Sequence, residues 1–482
     1  MRPHVHRNTV LTCFGLLILL LLQALAVSSP VLVLERQPPS FDSGGNSDVE
    51  IGIYKQADPP AQIDAPKGGS HTCVVEESGG LTCFGDNVYG KLGDGTATDR
   101  TQPTQVAGLS NGVTKVATGG AHTCALLTNG SVMCWGYNGD GNLGDGTTTT
   151  RYSPAYTDSL GAGRYAVDIA AGDSHTCVIL DDGSVKCWGG GGGGRLGDGS
   201  QSRRTSPVQT NSLGVGRTAV AISLGAGHSC ALLDDGSIKC WGLNDYGQIG
   251  LSQSQTAYVN PTSITAFTGG RTAVGISAGW KFTCAVLNDG NVSCWGMGVH
   301  GELGNNGTSS SWVPTYVTLD GITGTFERIS SGYMSSCGIL NTSQTVCWGW
   351  NGKGQIGDGS TTNRLVPTGL ANLSLGDAVV NITASMYHTC ASFVDGSLRC
   401  WGDNNDGRLG VDFSSAQTLT QPSGRPIGAI DATRVTETTE GQNVTYLIRI
   451  HGLSTSNFSA SIQTPVGMNV DFSNWTDRKS VV

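Results

Sequence analysis

Fourteen cysteines fall into seven pairs of identical spacing: Cys73/Cys83, Cys124/Cys134, Cys177/Cys187, Cys230/Cys240, Cys284/Cys294, Cys337/Cys347 and Cys390/Cys400. Each pair reads C-x9-C, and successive first members stand 51 to 54 residues apart. Thiols so arranged could ligate zinc or form disulfides. Zinc would need four ligands drawn from two hairpins about fifty residues apart, and C-x9-C is not a zinc spacing. The rest of the chemistry-bearing residues form no constellation. His71, His122, His175, His228 and His388 recur two residues before the first cysteine, one per unit and too far apart to share an ion, so they are expected to satisfy backbone groups at strand entrances. The segment Gly85 to Lys91 resembles a phosphate loop but has Leu92 where a hydroxyl must hold Mg²⁺. Gly108-Leu-Ser110-Asn-Gly112 matches a nucleophile elbow in letters only, and the stretch Asp403 to Gly407 lacks the glycine and terminal glutamate of a calcium loop. No acid/base pair or activated nucleophile emerges, so the sequence predicts a protein that is not an enzyme and uses neither cofactor nor metal.

The elements that would carry the cysteines follow from composition and register. Gly supplies 72 of 482 residues and charged residues only 13 %, which disfavours long helices and points to short strands joined by tight turns. An apolar share of 38 % with a net charge of −9 excludes disorder, and the acidic balance argues against nucleic acid as a partner. In the fourth unit, the runs from His228 to Leu233 and from Ser237 to Gly242 flank Asp234-Asp235-Gly236, a three-residue loop of the type I plus left-handed glycine kind. Leu233 then closes against Ser237, Leu232 meets Ile238, Ala231 meets Lys239, and Cys230 meets Cys240 at a non-hydrogen-bonded site where a disulfide can be reached. This register predicts seven identical cross-strand disulfides. Repetition at a fixed period near fifty signals a propeller or array.

Each hairpin is followed by a glycine-rich signature, as in Trp135-Gly-Tyr-Asn-Gly-Asp-Gly141-Asn-Leu143-Gly144 and Trp348-Gly-Trp-Asn-Gly-Lys-Gly354-Gln-Ile356-Gly357. The units resemble those of the regulator of chromosome condensation repeat family. The resemblance covers residues 61–430 and implies an all-β fold, a closed seven-bladed β-propeller with four-stranded blades. Phe84 replaces the first Trp, Gly190 to Gly194 replace the polar loop of the third unit, and Phe282 and Ser335 replace the histidines of units five and six. None of these should break the fold. The family's namesake activity is guanine-nucleotide exchange on a nuclear small GTPase.

That activity conflicts with the N-terminal pattern. Arg2 and Arg7, an apolar run from Val10 through Leu22, and Ala24-Leu25-Ala26 read as a signal peptide over 1–26, with an uncleaved membrane anchor as the alternative. Either outcome makes the protein secreted or displayed on the cell surface, where disulfides persist. Residues 27–60 read as a linker with a strand at Val49 to Tyr54, and 431–482 as a partial β-sandwich-like module opening at Val435 to Ile450. Nine N-x-S/T sequons, at Asn129, Asn291, Asn306, Asn341, Asn372, Asn381, Asn443, Asn457 and Asn474, would then be open to glycosylation.

The antiparallel register puts the turn before each first cysteine and the loop after Trp-Gly on one face of the ring. Blades one to four carry small or acidic residues in that turn. Blades five to seven carry Trp280-Lys281, Tyr333-Met334 and Met386-Tyr387, and the adjacent loops add Met297, His300, Trp350 and Lys353. This aromatic and Met-rich arc is the residue mix that anchors interfaces, and packing of these side chains onto adjacent loops as local core is the alternative. The sequence thus predicts a non-catalytic binding propeller for an extracellular protein or glycan. An exchange factor or an enzyme with a site in the propeller channel are the alternatives.

Overall fold

A computed structural model describes residues 62–252, 255–371, 378–394 and 397–410, together with the backbone of six further strands. Four of these, Leu32–Glu35 with Gly52–Lys55 and Ile430–Arg434 with Tyr446–Ile450, pair antiparallel, and Ser480–Val481 extends the second pair. The sixth, Ser415–Thr420, is the outer strand of the last blade. The leader expected over 1–26 lies outside the described residues. Contacts divide the chain into Pro59–Arg425 and a second unit of Met1–Asp58 with Pro426–Val482.

Within Pro59–Arg425, seven four-stranded antiparallel sheets follow one another in chain order, each a meander of consecutive strands. In blade 4 these are Ala219–Leu224, His228–Leu233, Ile238–Leu243 and Ala257–Ser263, from the channel outward. The hairpin register is the expected one. Leu232 pairs with Ile238, Ala231 with Lys239 and Cys230 with Cys240, while Leu233 N–H donates to Ser237 O at 2.9 Å. Gly236 takes φ +77° at the tip, which an L side chain adopts only with strain.

The same register in every blade brings the second and third strands together at their cysteines. All seven expected disulfides form: Cys73–Cys83, Cys124–Cys134, Cys177–Cys187, Cys230–Cys240, Cys284–Cys294, Cys337–Cys347 and Cys390–Cys400. Their Cα separations are 4.0 to 4.2 Å, the close approach of a non-hydrogen-bonded pair. Every one of the fourteen is completely buried, so each bond braces the interior of its blade and takes no part in a surface site.

The Trp-Gly…Leu-Gly signature acquires a physical reason here, because it joins each blade to the next. Trp135, Trp188, Trp241, Trp295, Trp348 and Trp401 are completely buried. The Trp241 indole N–H donates to Arg195 O in the loop of blade 3 at 2.9 Å, and Ser229 Oγ donates to the same carbonyl at 2.8 Å. Gly197, two residues further along that loop, lies flat on the Trp241 ring, where an added Cβ would stand 2.8 Å from Nε1. The other five tryptophans repeat the indole bond at 2.8 to 3.0 Å. At the closing seam the Phe84 side chain has no N–H to give, so among the described residues Arg408 O receives only Thr72 Oγ1, at 3.3 Å.

The histidines do not bond the backbone at their strand entrances, as the sequence leads one to expect. Each reaches a hydroxyl of the next blade: His71 to Thr123, His122 to Thr176, His175 to Ser229, His228 to Thr283 and His388 to Thr72, at 2.7 to 2.9 Å. Those hydroxyls spend their hydrogen on the loop carbonyl, so the histidine Nε2–H is the donor. Outer strands are protected against further pairing by a proline in each of the first six blades, Pro103, Pro154, Pro207, Pro261, Pro314 and Pro367.

Candidate functional site

The turns between inner and second strands are stitched into part of a ring by their own backbones. Ala226 N–H donates to Trp280 O at 3.0 Å, Trp280 N–H to Gly332 O at 3.0 Å, and Tyr333 N–H to Ser385 O at 3.2 Å. Successive turns are therefore held shoulder to shoulder, and their side chains meet. Trp280 stacks on Tyr333 with centroids 4.3 Å apart, and Trp350 meets Tyr387 edge-on at 5.9 Å. Lys281 Nζ lies 4.5 Å from the Trp280 centroid and 4.8 Å from that of Tyr246. The Arg408 guanidinium stands 5.4 Å from the Tyr387 ring while binding Asp403 at 3.1 Å and Asp406 at 2.6 Å.

Nine of the ten arc residues reach the surface. Trp280, Lys281, His300, Tyr333, Met334, Trp350, Met386 and Tyr387 are half-buried, and Lys353 is exposed with Asp403 3.6 Å away. Met297 is the exception. At 3 % exposure it sits within the blade, directly after the third strand Val292–Gly296, so it offers no surface to a partner.

Three contributors carried no motif. Tyr246 and Arg408 supply the partners just described, and Asp173 approaches from blade 3. Burial raises the Asp173 carboxyl, opposed by Arg195, Lys67 and a hydrogen bond from the Trp280 side chain. Burial likewise raises Tyr333, helped by Tyr387 and Asp173. Below the arc, Glu302 is completely buried, accepts His300 N–H at 2.7 Å, and is pushed by desolvation to about 7. Among the described residues no cluster of three or more His, Cys, Asp or Glu is placed to hold a metal. Of the sequons, Asn129, Asn291, Asn306 and Asn341 are exposed, whereas Asn381 is half-buried and accepts a hydrogen bond from Arg328 at 2.8 Å. Asn372, Asn443, Asn457 and Asn474 lie outside the described residues.

The fold and the repeated seams define a disulfide-braced seven-bladed propeller. Residues 162–459 match the family described as the RCC1-like domain, and the regulator of chromosome condensation (RCC1) repeat matches 78–126 and 129–179, with a second model of that repeat matching 113–142. The chain belongs to the RCC1-like domain family. It is 29 % identical over 360 residues to the ultraviolet-B receptor UVR8 of Arabidopsis thaliana, covering 74 % of this chain and 80 % of that one. It is also 29 % identical over 353 residues to the human E3 ubiquitin-protein ligase HERC2, covering 72 % of this chain but only 7 % of HERC2. The crystal structure of Prp20p from Saccharomyces cerevisiae superposes with a TM-score of 0.64 at 19 % identity, covering 77 % of this chain and 90 % of that one, which shows the shared fold.

Proposed function

We propose that this propeller is a non-catalytic binding module that works outside the cytoplasm and engages a protein or glycan through the arc on blades 5 to 7. The observation that carries the reading is the stacked Trp280–Tyr333 pair capped by Lys281, held half-exposed by backbone bonds between turns. Rigid aromatics that present area without losing conformational entropy are the usual anchors of interfaces. Fourteen cysteines in seven disulfides support an oxidising location, and glycans at Asn129, Asn291 and Asn341 would sit at or beside hairpin tips, on the face away from the arc. Prp20p is described as binding Gsp1p and histones, so a propeller of this fold can present protein-binding surfaces.

The test is to screen oxidised protein against extracellular proteins and glycan arrays, then to compare the Trp280→Ala/Tyr333→Ala/Trp350→Ala variant. Binding should fall at least tenfold while the seven disulfides and the near-ultraviolet circular dichroism of the buried tryptophans persist. Undiminished binding by the variant would remove the arc from the reading. Cytoplasmic protein with free thiols would remove the location and reopen the exchange-factor alternative.

A further inference from the structure

Seven equivalent positions, each paired with the first cysteine of its blade, form one layer around the central channel: Asp64, Ala117, Ala170, Ser223, Ser277, Ser330 and Thr383. Four consecutive blades present hydroxyls. Each accepts an amide from the next inner strand: Ser223 Oγ from Ala278 N–H at 2.9 Å, Ser277 Oγ from Ser331 N–H at 2.8 Å, Ser330 Oγ from Ala384 N–H at 3.0 Å, and Thr383 Oγ1 from Ala65 N–H at 3.1 Å. None of the four hydroxyl hydrogens has an acceptor among the described residues. Lys67 adds to this set, because it crosses from blade 1 to donate to Leu224 O at 3.0 Å, beside Ser223, and two of its three N–H groups remain uncommitted. These donors line one cavity of about 250 Å³ bounded by all seven inner strands.

The acceptors nearby are mostly engaged, Asp64 Oδ1 being the exception. Asp64 Oδ2 receives Thr118 N–H at 2.7 Å and Thr118 Oγ1 at 2.8 Å, and Asp168 is paired with Lys115. A site with four hydroxyl donors and one ammonium, against a single carboxylate oxygen without a partner, favours a group that accepts hydrogen bonds and gives none. We infer that the channel binds a small oxyanion, a carboxylate, sulfate or phosphate, held by Ser223, Ser277, Ser330, Thr383 and Lys67. This site lies on the channel strands rather than in the arc, and Lys67 also interacts with Asp173 beside Trp280. Asp64 shares the layer and opposes the bound charge, which sets the sign of one variant.

Full-length oxidised protein is titrated with sodium phosphate, sodium sulfate and sodium acetate against sodium chloride at matched ionic strength, by calorimetry and thermal unfolding. At least one oxyanion should bind saturably and raise the unfolding temperature beyond chloride. The Ser277→Ala/Ser330→Ala variant should weaken it by about tenfold or more, Ser277→Thr should retain it, and Lys67→Met should abolish it. Asp64→Asn, which still accepts from Thr118, should bind more tightly. No saturable gain over chloride, an equal response in the double variant, or weaker binding by Asp64→Asn would overturn the proposal. A crystal structure grown with the oxyanion and showing only water in this layer would do the same.

Discussion

At four seams, from blade 1 to blade 5, a buried histidine reaches across to a hydroxyl of the following blade, and His388 does so at the closing seam. The seams leading out of blades 5 and 6 lack this link. Phe282 replaces the first missing histidine, leaving Ser336 Oγ to pair with Ser331 at 3.3 Å, and Ser335 replaces the second with its hydroxyl buried and without a partner among the described residues. Glu302, where blades 4 and 6 carry Gln248 and Gln355, adds a buried carboxyl on the same side. The region with the weaker polar links inside is the one that carries the aromatic arc outside. The difference teaches that seven geometrically equivalent seams are not chemically equivalent: the two seams without the histidine keep the Trp indole bond, and the closing seam without the Trp keeps the histidine.

Acid should separate the two regions most strongly. Burial lowers all five histidines, His122 to about 4 and His228 and His388 to about 3, while the unfolded chain takes up these protons near 6.5. Their contribution to stability is complete above pH 6.5 and is lost as pH falls from there toward the folded values. Each should cost about 1.4 kcal/mol per pH unit within that window. Denaturant midpoints at pH 7, 6, 5 and 4 measure the slope, and His228→Phe, which copies the blade 5 seam, should flatten it by about one proton. A midpoint unchanged between pH 7 and 5 would contradict this account.

Glu302 should behave in the opposite sense. Its folded value, raised to about 7 from 4.5, means that the fold holds the proton better than the unfolded chain does. Its share of stability is present below pH 4.5 and lost as pH rises through 7. Glu302→Gln should therefore gain up to about 3 kcal/mol at pH 8 and nothing at pH 4, as read by thermal unfolding at both values. The smallest effect belongs to the closing seam. Phe84→Trp gives Arg408 O the indole donor that every other seam has, and should add about 1 kcal/mol. A loss instead would show that the seam has no room for the larger ring.

These contrasts also mark what the sequence can convey. The disulfides are legible because a three-residue tip fixes the register, and Cys230 meets Cys240 by counting along one hairpin. The Trp-Gly…Leu-Gly signature identifies the fold without revealing its purpose, since Gly197 and Trp241 touch only once two blades are packed. The histidine partners escape a sequence reading for the same reason: Thr123 lies 52 residues from His71, and no local pattern joins them. Met297 belongs to the surface only by analogy with its neighbours, whereas the residue after Trp-Gly can turn either way, buried in blade 5 and half-exposed as Trp350 in blade 6. The channel serines draw no notice because a lone serine in a strand is commonplace, and only closure of the ring sets four in one layer.

Every disulfide closes within its own blade, between residues ten apart, and none ties one blade to another. A repeat is therefore a self-contained cassette in a genetic sense. Duplication or deletion of one whole unit brings or removes both halves of its own bond, so the lineage can change its number of repeats without ever stranding an odd thiol, and the count of seven is left to the geometry of ring closure.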